Sequence, residues 1–139
     1  MMLDFKNMRV LLIGDFMIDT YIFGDSVRMS PEAPVPVLNP KKSYSTLGGA
    51  GNVALNLSVL GASVTCVGYV GKDNDGVELV NLLQRQQVNT QHIYTINSQT
   101  TVKERFYSNG KQVLRVDKED IIKDWSPPSI SELQSDKYD

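Results

Sequence analysis

A glycine-rich segment that opens a helical pattern carries the residue types in this 139-residue chain best suited to binding chemistry. It contains Gly48, Gly49 and Gly51, followed by Asn52. Glycine costs backbone entropy on folding and weakens a helix, so this density indicates that a ligand approaches the backbone closely. The N–H groups of a first helical turn also donate to oxygen atoms. The segment predicts a site for an oxygen-rich ligand, and the alternative is a tight turn that binds nothing.

Asp19 is the second candidate, because it follows soon after the apolar run at residues 9–14. Ligands of open α/β sheets bind at the carboxyl ends of the strands, so we expect Asp19 to converge with the glycine-rich turn. Asp19 accepts hydrogen bonds from hydroxyls, and Asn52 both donates and accepts them. This set suits a polyhydroxylated ligand, although Asp19 alone is equally compatible with a solvated turn carboxylate.

Two cations complete the candidate site. Lys103 and Arg105 are two residues apart in a β-prone segment and therefore lie on one face of the predicted strand. They could bind a phosphate group on the same ligand. The alternative is a charged strand face exposed to solvent.

The elements that must position these residues alternate along the chain. Apolar β-branched runs at 9–14, 63–70 and 92–96 predict strands, and residues 50–60 predict a helix with Val53, Ala54, Leu57 and Leu60 on its apolar face. A second helix begins after Asp73, its predicted N-cap. This order predicts an α/β fold, the N-terminal portion of a doubly wound sheet, with fewer strands than such a sheet usually has.

Two further regions differ from that pattern. Residues 20–46 contain several prolines, so we expect short extended pieces that form a small β excursion outside the main sheet. An Asn109-Gly110 pair predicts a hairpin between residues 101–107 and 112–117. We expect residues 118–139 to form a polar tail and the whole chain, 1–139, to be one incomplete domain.

Composition restricts the function classes. The formal net charge is −2, with no basic field that would attract nucleic acid or an anionic membrane surface. The single cysteine, Cys66, lies in an apolar run, which excludes a disulfide within the chain and a multi-cysteine zinc site. The glycines fit neither the dinucleotide fingerprint nor a Walker A loop. We therefore expect no metal and no cofactor for this chain alone, no transmembrane segment and a cytoplasmic location.

Several segments, taken in order, carry a family resemblance: GDFMID at 14–19, SPEAPVPV at 30–37, LGGAGNVA at 47–54 and VGYVGKD at 67–73. They resemble the ribokinase/PfkB carbohydrate kinases. The proline-rich segment, TVKER at 101–105, QVLRVD at 112–117 and the short spacing from Gly49 to Asn52 resemble one branch in particular. That branch phosphorylates D-glycero-D-manno-heptose 7-phosphate.

The resemblance implies a ribokinase-like sheet in which residues 20–46 form a β lid over the sugar and pair with a second subunit in a homodimer. It implies that Asp19, Gly48, Gly49 and Asn52 hold sugar hydroxyls and that Lys103 and Arg105 hold the distal phosphate. The intact kinase would use Mg-ATP. In this family the base and anion hole lie in a C-terminal G-x-G-D motif, which this sequence lacks. We therefore expect the substrate-binding half of a kinase that is inactive alone.

Two alternatives stay open from the sequence. The chain can be a fragment of another ribokinase-family enzyme that acts on unphosphorylated sugars. It can also be a non-catalytic sugar-binding or dimerisation module.

Overall fold

The computed structural model describes residues 5–122, 125–133 and 138. These residues form two sheets and three helices. The strands are β1 (Arg9–Ile13), β2 (Phe16–Met29), β3 (Pro36–Gly49), β4 (Ser63–Gly71), β5 (Asn89–Ile96), β6 (Val102–Ser108) and β7 (Lys111–Lys118), and the helices are α1 (Ala50–Val59), α2 (Asn74–Arg85) and α3 (Ile130–Leu133).

The first sheet is parallel and has the order β1-β4-β5. The central strand, β4, is buried over most of its length, as an apolar strand of a parallel sheet should be. Asp73 caps α2 through a hydrogen bond that its carboxylate accepts from the Gly76 N–H. The predicted alternation of strands and helices is therefore confirmed for this part of the chain.

The second sheet has the order β3-β2-β6-β7, in which β2 pairs parallel with β6 and the other pairs are antiparallel. The expectation of short extended pieces was wrong here. Both β2 and β3 are 14 residues long and together run from Phe16 to Gly49, beyond the predicted 20–46 on both sides. The prolines are tolerated because β3 is an edge strand and bulges interrupt its pairing.

The predicted hairpin is confirmed, since Asn109 and Gly110 have φ values of 49° and 77° and join β6 to β7. A two-residue turn of that kind matches the twist of the strands. Sequence patterns did not reveal that this hairpin continues the β2–β3 sheet. That continuation brings β6 next to Asp19.

Helix α1 begins at the predicted residue and ends at Val59, one residue early, and only part of its predicted apolar face is buried. Gly51 and Ala54 are buried, whereas Val53 and Leu60 are 45% and 49% exposed. A Cβ on Gly51 would lie 3.2 Å from the Leu47 side chain, so the helix packs closely against the end of β3. Leu57 also packs against the core, so Ala54 and Leu57 of the predicted face are confirmed and Val53 and Leu60 are not.

The polar tail is only partly described. Lys118 still belongs to β7, the Trp125 ring lies 4.9 Å from the Tyr69 ring, and Leu133 in α3 is buried. Residues 123–124, 134–137 and 139 lie outside the described part of the chain. None of the helices described here has the length and apolarity needed to cross a membrane.

Candidate functional site

The centre of the candidate site is an ion pair between Asp19 on β2 and Arg105 on β6. The Arg105 Nη1 donates to the Asp19 Oδ1 over 2.6 Å, and both side chains are about four-fifths buried. The parallel register places Lys103 opposite Asp19 and Arg105 opposite Tyr21. The hydrogen bond to Asp19 raises the pKa of Arg105 above its ordinary value. This pairing joins two residues that are 86 positions apart in sequence.

Gly48 lies against this ion pair. A Cβ on Gly48 would sit 2.7 Å from the Asp19 Oδ2, closer than real contacts allow. The glycine therefore leaves room for the Asp19 carboxylate. The sequence predicts that a ligand approaches the backbone closely here, whereas in the structure the group that approaches Gly48 is the Asp19 side chain of the same chain.

Gly49 has a separate reason to be glycine. Its φ is +55°, and a Cβ there would lie 2.5 Å from the carbonyl oxygen of Asp15. That same oxygen accepts a hydrogen bond of 2.9 Å from the Ala50 N–H. Gly49 thus turns the chain from β3 into α1 and positions the start of the helix.

Asn52 lies in the first turn of α1 and is exposed. Its carbonyl accepts a hydrogen bond from the Asn56 side chain over 2.9 Å. The N-cap, Gly49, has no side-chain hydrogen bond to the first turn. The structure therefore joins Asp19, Gly48, Lys103 and Arg105 through direct contacts and strand pairing, and it places Gly49 and Asn52 at the adjoining helix start.

Lys103 is held by carboxylates that the sequence patterns did not reveal. Its Nζ donates to the Asp117 Oδ2 over 3.2 Å and lies 3.9 Å from the Glu119 Oε2. The Arg115 Nε lies 2.9 Å from the Asp117 Oδ1. Burial raises the pKa of Asp117, but the hydrogen bond from Lys103 and the charge of Arg115 lower it by more. The phosphate-binding role of Lys103 and Arg105 stays a prediction.

An aromatic cluster occupies the same face of the second sheet. Rings of Tyr21, Phe23, Tyr44 and Tyr107 stack at centroid distances of 4.9–6.3 Å. The Arg105 Cζ lies 5.4 Å from the centre of the Tyr21 ring, a cation–π contact. Charged and aromatic residues occupy every second position at 19–23 of β2 and 103–107 of β6, and this spacing is the sequence signal that indicates the face.

A small cavity of about 200 Å³ opens at the carboxyl ends of β1 and β4, beside Met17. Its polar lining includes Asp15, Tyr69, Thr100 and Asp120. Burial and the charge of Asp15 raise the pKa of Tyr69, so its hydroxyl keeps its proton at neutral pH. Within residues 5–122, 125–133 and 138, no group of three or more metal-ligating side chains is found.

Comparisons with known proteins identify the family. The model of the pfkB family carbohydrate kinases matches residues 7–133. The bifunctional protein HldE of Aliarcobacter butzleri is 45% identical over 117 residues, which cover 84% of this chain and 25% of that protein. The HldE protein of Coxiella burnetii is 41% identical over 127 residues, which cover 91% of this chain and 26% of that one.

Solved structures show the same fold. A carbohydrate kinase from Agrobacterium tumefaciens superposes with a TM-score of 0.66 at 21% identity, over 80% of this chain and 35% of that chain. A ribokinase of Arabidopsis thaliana, solved with ribose and ATP, gives 0.63 at 17% identity, over 79% and 35%.

The chain spans about a quarter of the length of the curated relatives it matches. Its fold is ribokinase-like, and the family model covers nearly all of its residues. The chain therefore belongs to the pfkB family of carbohydrate kinases.

Proposed function

We propose that this chain forms the substrate-binding part of an ATP-dependent kinase that phosphorylates D-glycero-D-manno-heptose 7-phosphate at the anomeric hydroxyl. The observation that carries the proposal is the Asp19–Arg105 pair, beside Gly48 and the start of α1, with Lys103 on the same sheet face. Identity of 41–46% to proteins named HldE supports the family branch.

In this proposal Asp19 accepts hydrogen bonds from sugar hydroxyls. A carboxylate has lone pairs to spare, so it can keep its bond to Arg105 while it accepts others. The N–H groups at the start of α1 and the Asn52 side chain supply donors on the neighbouring side. Lys103 and Arg105 bind the distal phosphate, for which charge-assisted hydrogen bonds are the strongest available contacts.

Phosphoryl transfer needs an anion hole and a group that receives the hydroxyl proton. The sequence contains no G-x-G-D motif. We assign those groups, and the binding of Mg-ATP, to residues outside these 139. This chain alone should bind the sugar phosphate and transfer nothing.

We also propose a homodimer formed through the β2–β3 hairpin and a cytoplasmic location.

The test is calorimetric titration of the purified 139-residue chain with the heptose 7-phosphate and with the unphosphorylated heptose. The wild type should prefer the phosphorylated sugar. Lys103→Gln removes one charge-assisted contact, which is worth about 1.5–3 kcal/mol, or about 10- to 100-fold in affinity. Arg85→Gln is the matched control, since Arg85 is an exposed cation on α2 that lies 3.9 Å from Glu78.

Each result decides one part of the proposal. Equal affinity for both sugars would refute the phosphate assignment and favour a kinase for unphosphorylated sugars. No binding of either sugar would refute the substrate-binding role. Turnover by the chain alone with Mg-ATP would refute the assignment of the transfer groups to other residues.

A further inference from the structure

A hydrogen-bonded cluster formed by Gly71, Asp73, Gly76 and Thr100 joins the two sheets. We call it the Asp73–Thr100 cluster. The Asp73 Oδ1 accepts from the Gly76 N–H over 2.8 Å and from the Thr100 hydroxyl over 2.6 Å, and Oδ2 accepts from the Thr100 N–H over 2.8 Å. The Thr100 Oγ1 in turn accepts from the Gly71 N–H over 2.9 Å. The hydroxyl and the N–H of Thr100 therefore both form hydrogen bonds within the cluster.

The cluster leaves no space for larger residues. Thr100 is 2% exposed. A Cβ on Gly71 would lie 2.4 Å from the Thr100 nitrogen, and a Cβ on Gly76 would lie 2.9 Å from the Thr100 Oγ1. A Cβ on Gly71 would also lie 2.4 Å from the Ser98 carbonyl oxygen, and one on Gly76 would lie 2.3 Å from the Gly71 carbonyl oxygen. A side chain at either glycine would therefore disturb the packing of Thr100 against Asp73, and the sequence G-x-D-x-x-G at 71–76 forms one side of the Asp73–Thr100 cluster.

Thr100 lies just before the strand that carries the two predicted phosphate-binding cations. Strand β6 begins at Val102, and the carbonyl of Thr101 accepts a hydrogen bond from the Ile18 N–H over 3.0 Å. This contact starts the register that places Lys103 opposite Asp19. A shift of one residue would turn Lys103 and Arg105 to the other face of the sheet.

A second carboxylate holds the same segment from the far side. The Asp120 Oδ2 accepts from the Ser98 hydroxyl over 2.8 Å and from the Gln99 N–H over 2.9 Å. Asp120 follows the end of β7, so it closes the β6–β7 hairpin onto residues 98–99. Asp73 differs because it ties this segment to the first sheet, through the cap of α2.

We propose that Asp73, acting through Thr100, is a positioning residue that sets where Lys103 and Arg105 stand against Asp19. The inference rests on the proposed function for its effect on ligand binding. Its structural content concerns the register and rigidity of β6 and does not depend on the ligand. Loss of the cluster should therefore impair recognition of the phosphate more than recognition of the sugar ring.

The test compares Thr100→Val with Thr100→Ser in the 139-residue chain. Valine keeps the shape and removes the hydroxyl, whereas serine keeps both hydrogen bonds of that hydroxyl. Asp75→Asn is the matched control, because Asp75 lies in the same helical turn as Gly76 but outside the cluster. Two quantities are measured: the ratio of affinities for heptose 7-phosphate and heptose, and amide hydrogen exchange by residue.

With Thr100→Val, the preference for the phosphorylated sugar should fall by about tenfold, since small displacements of binding groups cost that much or more. The affinity for unphosphorylated heptose should change by less than about threefold. Exchange should rise in β6 and β7 relative to residues 63–67 of β4. Thr100→Ser and Asp75→Asn should keep wild-type values of both quantities.

Unchanged exchange in β6 together with an unchanged affinity ratio would overturn the inference. An equal loss of affinity for both sugars would assign the cluster a merely structural role and also overturn it. If the wild type does not discriminate between the sugars, the phosphate assignment fails, and the exchange data alone decide whether the cluster positions β6. If Thr100→Val does not fold, Asp73→Asn replaces it, since asparagine keeps one acceptor and loses the bond from the Thr100 N–H.

Discussion

Replacement of Gly48 by alanine tests the contact on which the candidate site is built. The new Cβ would lie 2.7 Å from the Asp19 Oδ2 and 2.9 Å from the Met17 Cγ. Both are atoms of flexible side chains, so they can move. The φ of Gly48 is not positive, so alanine can adopt the backbone conformation found at this position. The expected response is a rotation of the Asp19 carboxylate away from Arg105.

The cost of that rotation follows from the bond that it breaks. A charge-assisted hydrogen bond such as that between Asp19 and Arg105 contributes about 1.5–3 kcal/mol. Alanine in place of glycine recovers about 0.4–1 kcal/mol by restricting the unfolded chain. The free energy of unfolding should therefore fall by about 0.5–2.5 kcal/mol. Sugar binding should be lost along with the carboxylate position.

Two other glycines provide the comparison. Gly49→Ala should cost about 3 kcal/mol or more, because a positive φ and a backbone oxygen 2.5 Å away cannot both be relieved. Gly110 also has a positive φ but has nothing within 4 Å of the added Cβ, so Gly110→Ala should cost about 1 kcal/mol. Urea unfolding of the three variants measures the order.

A double-mutant cycle identifies the partner. In an Asp19→Ala background the main obstacle to the new methyl group is gone, so Gly48→Ala should cost nearly nothing there. If Gly48→Ala is as costly in that background as in the wild type, the glycine does not serve the Asp19 carboxylate. That result would refute our explanation of the glycine-rich segment.

Three further outcomes are expected. Burial raises the pKa of Asp73, but its hydrogen bonds from Thr100 and Gly76 lower it by more, so that it lies below its ordinary value. The stability that Asp73 contributes is therefore present above its pKa in the unfolded chain and is lost as the pH falls through its pKa in the folded protein. Asp73→Asn should remove this dependence, so the free energy of unfolding should fall less steeply at acid pH than in the wild type, as circular dichroism would show. Burial raises the pKa of the Cys66 thiol to about 12, so a thiol reagent at pH 8 should react with it only after urea unfolding. Asp117→Asn removes a carboxylate from Lys103 and should tighten binding of heptose 7-phosphate by about 1 kcal/mol, or about fivefold, with no gain for heptose, as calorimetry at constant ionic strength would show.

The alternation of strands and helices around the first sheet, the cap at Asp73 and the Asn109-Gly110 turn follow from local patterns, and the sequence predicts all three. Local patterns do not predict the carboxylates that pair with Lys103. A turn at 109–110 with regular pairing would set Lys103 opposite Val116. The bulge between Phe106 and Tyr107 shifts the register by one residue and sets Lys103 opposite Asp117 instead. A bulge is decided by packing across the whole sheet, so composition near the turn does not reveal it.

The charges at the candidate site impose different requirements on the two parts of a sugar phosphate. Lys103, Arg105 and Arg115 are matched by Asp19, Asp117 and Glu119, so the formal charges of this group cancel. Hydroxyls can reach Asp19 without disturbing Arg105, because the carboxylate has further lone pairs. The negative charges of Asp117 and Glu119 repel a phosphate, so the phosphate must draw Lys103 away from them. The carboxylates therefore hold the cations in place before the ligand binds, but they also reduce the binding free energy that the phosphate gains. The preference for the phosphorylated over the unphosphorylated sugar should be weaker than two unpaired cations would give.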